Sequence, residues 1–459
     1  MSDRRVVTPE ELADLIRSGE IDTVLTVFCD LQGRLMGKRV TGHFYLDHVS
    51  GPEGFEACNY LIATDVDMTP NPGYRFASYE LGYGDMRAVV DPTTIRLCPW
   101  LDRTALVMCD LQDVDSGAPI SVAPRNILRH QVERATAAGF RSMMGSEIEF
   151  FLFRETYEQA FDSGYRSLTP YGPFNEDYCI RQTSKDDWLI GQIRRHMDAA
   201  GIPIEFSKGE AESGQHEINL RYTDALEMAD RNTVYKNAAK EIASANGRSI
   251  TFMAKYAFDK VGSSGHIHSS LYSLADGRSV LHDHDGPHHM SDQFRWYLGG
   301  LISTAREFAL LFAPNINSYK RYQPGSWAPT AVAWGTDNRT CGFRIVGHGQ
   351  AIRVESRIPG SDMNSYLAFA GTIAGGLHGI ANKIEPPERF VGNGYESPDV
   401  PRIPWNLVEA IELWRNSEAA KAAFGDDVHH HILNTAEQEW LAFNRTVTDW
   451  EVRRNFERV

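Results

Sequence analysis

None of the six cysteines forms a CxxC pair: Cys29, Cys58, Cys98, Cys109, Cys179 and Cys341 are scattered along the chain. In a chain this long they read as reduced, mostly buried thiols of a cytoplasmic protein. No stretch approaches the roughly 18 consecutive apolar residues of a membrane span. The opening MSDRRVVTPEELADLI carries charge throughout and has no apolar core segment, so no signal peptide and no membrane partner are expected. Basic residues are outnumbered, 46 Lys and Arg against 61 Asp and Glu, for a formal charge of −15. A nucleic-acid surface needs clustered Lys and Arg, so no nucleic-acid partner is expected either. There is no internal repeat, no low-complexity tract, and no GxxxxGK loop to cradle phosphates.

What remains is a large apolar inventory, 42% of 459 residues, with charges interspersed rather than blocked. That length suggests two domains. Thr8 and Glu11 form a capping-box signature ahead of Leu12, Leu15 and Ile16. The run IDTVLTVFCDLQGRLMGKRVT reads as a hairpin turning at Gln32-Gly33. Short strands are expected near Ala88–Val90 and Ala105–Cys109. Beyond SGAPISVAP the pattern changes: Pro124 opens a helix that Gly139 closes. Further helices are predicted over roughly 186–200, 223–246, 291–313, 362–382 and 405–420. The chain therefore divides near residue 115, into a strand-rich domain (1–115) and a larger α+β domain (116–459).

Six short motifs carry chemistry. In GSEIEFFLF, Glu147 and Glu149 stand two apart on a strand, so both carboxylates share a face. Adjacent carboxylates repel, and a hard divalent cation such as Mg²⁺ or Mn²⁺ relieves that repulsion. An exposed polar strand would look the same. In GEAESGQHEINL, Glu210 and Glu217 flank a Gly-containing turn able to bring them together. GSSGHIHSSL places His266 and His268 on alternate strand positions. Arg353, Glu355 and Arg357 share a face in RVESRIPG, as a surface ion-pair ladder would. Arg321 in NSYKRYQPG and Arg339 and Arg344 in DNRTCGFRI lie beside Gly or Pro turns, which suits carboxylate or phosphate binding.

Taken together, in this order and spacing, the motifs resemble type I glutamine synthetases over nearly the whole chain. They are most similar to the branch of γ-glutamylpolyamine and γ-glutamylethanolamide synthetases. The resemblance implies an α+β fold with an N-terminal β-grasp-like domain and a C-terminal catalytic domain. It implies two divalent metals, one held by Glu149, Glu210 and Glu217, the other by Glu147, His266 and Glu355. ATP would meet His268 at its phosphates, with Tyr222, Ser270 and Arg353 around the nucleotide. Gly262, Arg321 and Arg357 would bind glutamate, and Arg339 and Arg344 the transferring phosphate. The family builds its sites between neighbouring subunits of two stacked hexameric rings, so a homododecamer is expected.

The sequence departs from that pattern at the nucleophile. Glutamine synthetases carry a loop glutamate two residues after a Pro-Gly; here Pro324-Gly325-Ser326-Trp327 puts tryptophan there. The aspartate of their N-terminal FDGSS-like loop has no clear counterpart in Glu56-Ala57-Cys58-Asn59-Tyr60. Both changes remove charge that would gather ammonium and take its proton. Trp327 instead offers an apolar wall for an alkylammonium stem. The expected reaction joins the γ-carboxyl of glutamate to ethanolamine, a polyamine or another small primary amine, with Glu56 as a candidate replacement base. The alternatives are an ammonia-using glutamine synthetase and a non-catalytic relative. Two histidine tracts, His282–His289 and His429–His431, read as solvated segments rather than metal sites, and Tyr395 in GNGY is not expected to be adenylylated.

Overall fold

The structure, a computed structural model, describes residues 7–323 and 325–459; the first six residues and Pro324, which opens the Trp327 loop, lie outside the described residues. Two sheets organise the chain. The first contains β1 (Thr23–Cys29), β2 (Leu35–Thr41), β3 (Phe55–Cys58), β4 (Asp85–Val90), β5 (Arg96–Leu97) and β6 (Thr104–Asp113). Its order is β2-β1-β6-β4-β3, with β5 on β6; β1 and β6 run parallel and every other pair is antiparallel. The expected hairpin is present, and Gly33 takes the left-handed conformation (φ 79°) that lets the chain reverse. Thr8 and Glu11 close a reciprocal capping box on the helix Pro9–Ser18.

The second sheet contains β7 (Phe140–Phe153), β8 (Ile204–Gly209), β9 (Gln215–Asp224), β10 (Ser249–Thr251), β11 (Gly265–Ser273), β12 (Ala331–Thr336), β13 (Cys341–Val346) and β14 (Arg353–Ser356). Its order is β12-β13-β14-β11-β7-β9-β8, with β10 on β7. Alternation divides its two faces. Ile148, Phe150, Ile218 and Ile267 are completely buried, while the motif residues between them look the other way. Helices Pro124–Ala137, Ala225–Ala245 and Ser365–Asn382 pack on one another, and the first two also cover β7.

Small residues set the helix spacing. Helices Asp292–Thr304 and Ser365–Asn382 approach so closely that a Cβ on Gly379 would stand 2.0 Å from the Trp296 carbonyl oxygen. Arg125 ties the two sheets' regions together. It donates to Asp230 at 3.0 and 2.9 Å and to Asp91 at 2.8 Å, and it also meets Asp110.

Several elements differ from the sequence reading. The segment 291–313 is two helices, Asp292–Thr304 and Ala309–Phe312. The helix expected over 405–420 ends at Arg415, because Ser417 caps a new helix, Glu418–Asn444, by accepting from Ala420 N–H. Within it, His429 and His431 are not solvated. His429 stacks on Trp414 with ring centroids 5.4 Å apart, and His431 is buried against Ile62 and Tyr74. The other tract is largely exposed at His284, His288 and His289.

Candidate active site

The register of the second sheet writes the site. His266 on β11 pairs with Glu147 on β7, and Glu149 on β7 with Glu217 on β9. Glu355 on β14 has His268 on one side and Arg344 of β13 on the other. Glu210 follows the end of β8, carried back beside Glu217 by the turn between β8 and β9. Residues from six strands or their ends thereby converge on one face.

Ligand atoms of Glu149, Glu210 and Glu217 lie within 4.8 Å of one another, as do those of Glu147, Glu217 and His266 and those of Glu147, His268 and Glu355. His266 Nδ1 is 3.3 Å from Glu147 and 3.6 Å from Glu355, and His268 Nε2 is 2.9 Å from Glu147. Both Glu355 oxygens are engaged by arginines, Arg344 at 2.7 Å and Arg357 at 2.5 Å. Arg344 also pairs with Asp337. Arg353 donates from Nε to His268 Nδ1 at 3.1 Å.

Charge is distributed unevenly. Burial, then the neighbouring Glu210, pushes Glu149 above the ordinary carboxylate range. Burial, then Glu147, does the same to Glu217. Burial opposes ionisation of Glu355 as well, but Arg357 and then His266 outweigh it and bring the carboxyl down to about 2. His266 is drawn down to about 4, chiefly by burial and then by Arg357. A neutral imidazole among carboxylates that cannot all ionise is the donor set a divalent cation satisfies. His266 Nε2, buried and without a hydrogen-bond partner among the described residues, adds a further unsatisfied atom to the set. The residues fit divalent metal ions.

Two adjoining cavities share Glu147 and Phe206. One, of about 500 Å³, is lined by Tyr222, His268, Ser270 and Arg353 together with Met144 and Ile352. The other, of about 560 Å³, holds all the metal-type carboxylates with Gly262, Trp327, Arg339, Arg344 and Arg357. Trp327 is 56% exposed and sits at φ 61°, a left-handed conformation unusual for a bulky residue.

Arg321 lies behind the cavity wall rather than in it. It is completely buried, with its guanidinium donating to the carbonyls of Ile358 and Arg357 and to Ser264 Oγ. Glu56 is on β3 in the first sheet and does not line either cavity of this chain. The sequence reading missed Asp177, Tyr178 and Lys208, which line the second cavity. The first two sit on an irregular loop, where no periodicity could single them out.

A five-carboxylate, two-histidine face beside arginines, with a second cavity alongside, has the chemistry to hold divalent cations and phosphate oxygens. The comparisons specify it further. Residues 121–455 match the glutamine synthetase catalytic-domain family. The chain is 51% identical, over 98% of its length and 96% of the relative's, to a γ-glutamylethanolamide synthetase of Streptomyces coelicolor. It is 36% identical to a glutamate–isopropylamine ligase of a Pseudomonas species, over 97% of both chains. A solved ADP complex of GmaS superposes with a TM-score of 0.84 at 27% identity, covering 97% of this chain and 99% of that one. The chain belongs to the glutamine synthetase family.

Proposed function

We propose that the chain is an ATP-dependent ligase that joins the γ-carboxyl of glutamate to a small primary amine, with ethanolamine the first candidate. The observation that carries the reading is the pair of adjoining cavities meeting at Glu147, one of nucleotide size and the other rich in carboxylates and arginines. The S. coelicolor relative's ethanolamide product and the Pseudomonas relative's alkylamine support an organic amine as nucleophile.

In the first step an oxygen of the glutamate γ-carboxylate attacks the γ-phosphorus of ATP, and ADP leaves. In the second, the amine, after losing a proton to solvent, attacks the γ-carbonyl of γ-glutamyl phosphate with its nitrogen lone pair; phosphate leaves with the C–O bonding pair, and the nitrogen's second proton passes to the departing phosphate. ATP occupies the Tyr222–Ser270 cavity, with Arg353 and His268 at its phosphate end. Arg339 and Arg344 neutralise the transferring phosphoryl group, and Arg357 and the Gly262 backbone hold glutamate. Arg321, locked behind them, holds the Arg357 and Ile358 carbonyls and the Ser264 hydroxyl.

Glu149, Glu210 and Glu217 would hold one Mg²⁺ or Mn²⁺ ion, and Glu147, His266 and Glu355 a second. When bound, such ions neutralise phosphate charge that arginines alone leave uncompensated. Trp327 walls the amine end. The first sheet (residues 23–113) supports a domain division near 115, and the assembly is taken to be a homododecamer of two hexameric rings, with Glu56 offered toward a neighbouring site.

Phosphate release from ATP and glutamate, measured across ethanolamine, putrescine, spermidine, isopropylamine and ammonium, tests the reading. Turnover with an organic amine well above that with ammonium is expected. Turnover with ammonium alone overturns it in favour of an ordinary glutamine synthetase.

A further inference from the structure

A primary amine is protonated at neutral pH, so the cavity that receives it needs a negative group to hold the ammonium. Trp327, at the loop position where a carboxylate would have served, supplies none. Six carboxylates line this cavity: Glu147, Glu149, Glu210, Glu217, Glu355 and Asp177. The first five belong to the metal-type clusters. Asp177 does not, and it has so far no role.

Its position is built rather than accidental. Asn175 Oδ1 accepts from Asp177 N–H at 2.8 Å, and Asn175 Nδ2 donates to the Ala211 carbonyl at 2.9 Å. The next residue, Glu176, is 2% exposed and anchors the loop from below, accepting from Gly214 N–H at 3.2 Å and lying 3.7 Å from His216 Nε2. Tyr178 N–H reaches the Gly209 carbonyl at 3.4 Å. The loop is thus pinned along the turn that carries Glu210, and Asp177 faces the cavity on a held backbone.

The surroundings already display the relevant recognition. Lys208 Nζ pairs with Glu210, lies 3.4 Å from Asp177 and sits 4.4 Å from the centre of the Tyr178 ring. An ammonium group flanked by carboxylates and an aromatic face is the chemistry an alkylammonium substrate requires. Asp177 Oδ1 accepts a hydrogen bond from Lys208 Nζ at 3.4 Å, its side chain is 43% exposed, and its carboxylate keeps acceptor capacity for a second cation.

Resting on the ligase reading above, we propose that Asp177 is the amine-binding residue, its carboxylate docking the ammonium of the incoming amine beside Tyr178 and Trp327. The test is steady-state kinetics of Asp177→Asn and Asp177→Glu, with each substrate varied in turn. Loss of a charge-assisted hydrogen bond predicts that Asp177→Asn raises the KM for ethanolamine about tenfold or more. The KM values for ATP and glutamate should stay near wild type, and Asp177→Glu should restore most of the amine affinity. Hydroxylamine, a nucleophile uncharged at neutral pH, separates binding of charge from general damage, because Asp177→Asn should use it nearly as well as wild type does. An unchanged ethanolamine KM, or an equal loss with hydroxylamine, overturns the assignment while leaving the ligase intact. A wild-type enzyme silent with every amine overturns both.

Discussion

Glu149 and Glu217 face each other across β7 and β9, buried to 6% and 4% exposure, with Glu210 beside them. Gln215 Nε2 at 3.2 Å and Ser264 N–H at 2.6 Å donate to Glu149, but among the described residues no lysine or arginine forms an ion pair with either carboxylate. Crowding of this kind costs stability unless a cation is bound. Replacing Glu217 with Ala is therefore expected to reduce phosphate release with any amine at least ~100-fold, while the thermal midpoint without added metal stays level or rises. Wild-type rates in Glu217→Ala would remove Glu217 from the metal set; differential scanning fluorimetry with and without Mg²⁺ supplies the second readout.

Trp327→Glu restores a carboxylate at the loop position. Ammonium-dependent phosphate release should rise and ethanolamine-dependent release fall, so that the ratio of the two kcat/KM values moves toward ammonium. An unchanged ratio would mean that the tryptophan does not set the choice of nucleophile.

Arg125 is 4% exposed and serves three aspartates. Arg125→Ala leaves Asp230, itself 1% exposed, as a buried charge short of its partner. The expected loss is about 3–5 kcal/mol, read as a lower denaturation midpoint. A loss below 1 kcal/mol would show that the network is solvated on unfolding at no net cost.

The site was legible where sheet periodicity carries it. Glu147 and Glu149, His266 and His268, and Arg353 and Glu355 alternate in sequence, so strand geometry alone brings each pair to one face. Which pairs meet across strands is a matter of register, and that follows from tertiary packing. Asp177 and Lys208 were invisible for the same reason: the first lies on a loop, and the second reads as an ordinary exposed strand cation. Arg321 carried the right residue type for an anion site, yet burial commits its guanidinium to backbone carbonyls. His431 misled in the opposite sense, because a histidine tract reads as polar until Tyr74 and Ile62 close over it.

His431 also sets a pH dependence. Burial, opposed only in part by its bond to the Ile62 carbonyl at 2.8 Å, draws its imidazole down to about 4. The unfolded chain binds that proton near pH 6.5, so between those values the unfolded state holds more protons. Stability is then complete above about pH 6.5 and is lost as the pH falls toward 4, by up to about 3 kcal/mol from this residue. His431→Gln keeps a side-chain donor without titrating, so its urea midpoint should fall less between pH 7 and 5 than that of wild type. Parallel slopes would exclude His431 as a source of the acid limb.

The central claim, that ATP activates the γ-carboxylate of glutamate for attack by an amine, is tested most directly with isotope. Glutamate labelled with ¹⁸O in its γ-carboxyl, turned over with ATP and ethanolamine, should deliver one ¹⁸O atom to each inorganic phosphate released, with γ-glutamylethanolamide forming in equal amount. Phosphate released without label would contradict the account, since the γ-carboxyl oxygen would then never have been bonded to phosphorus.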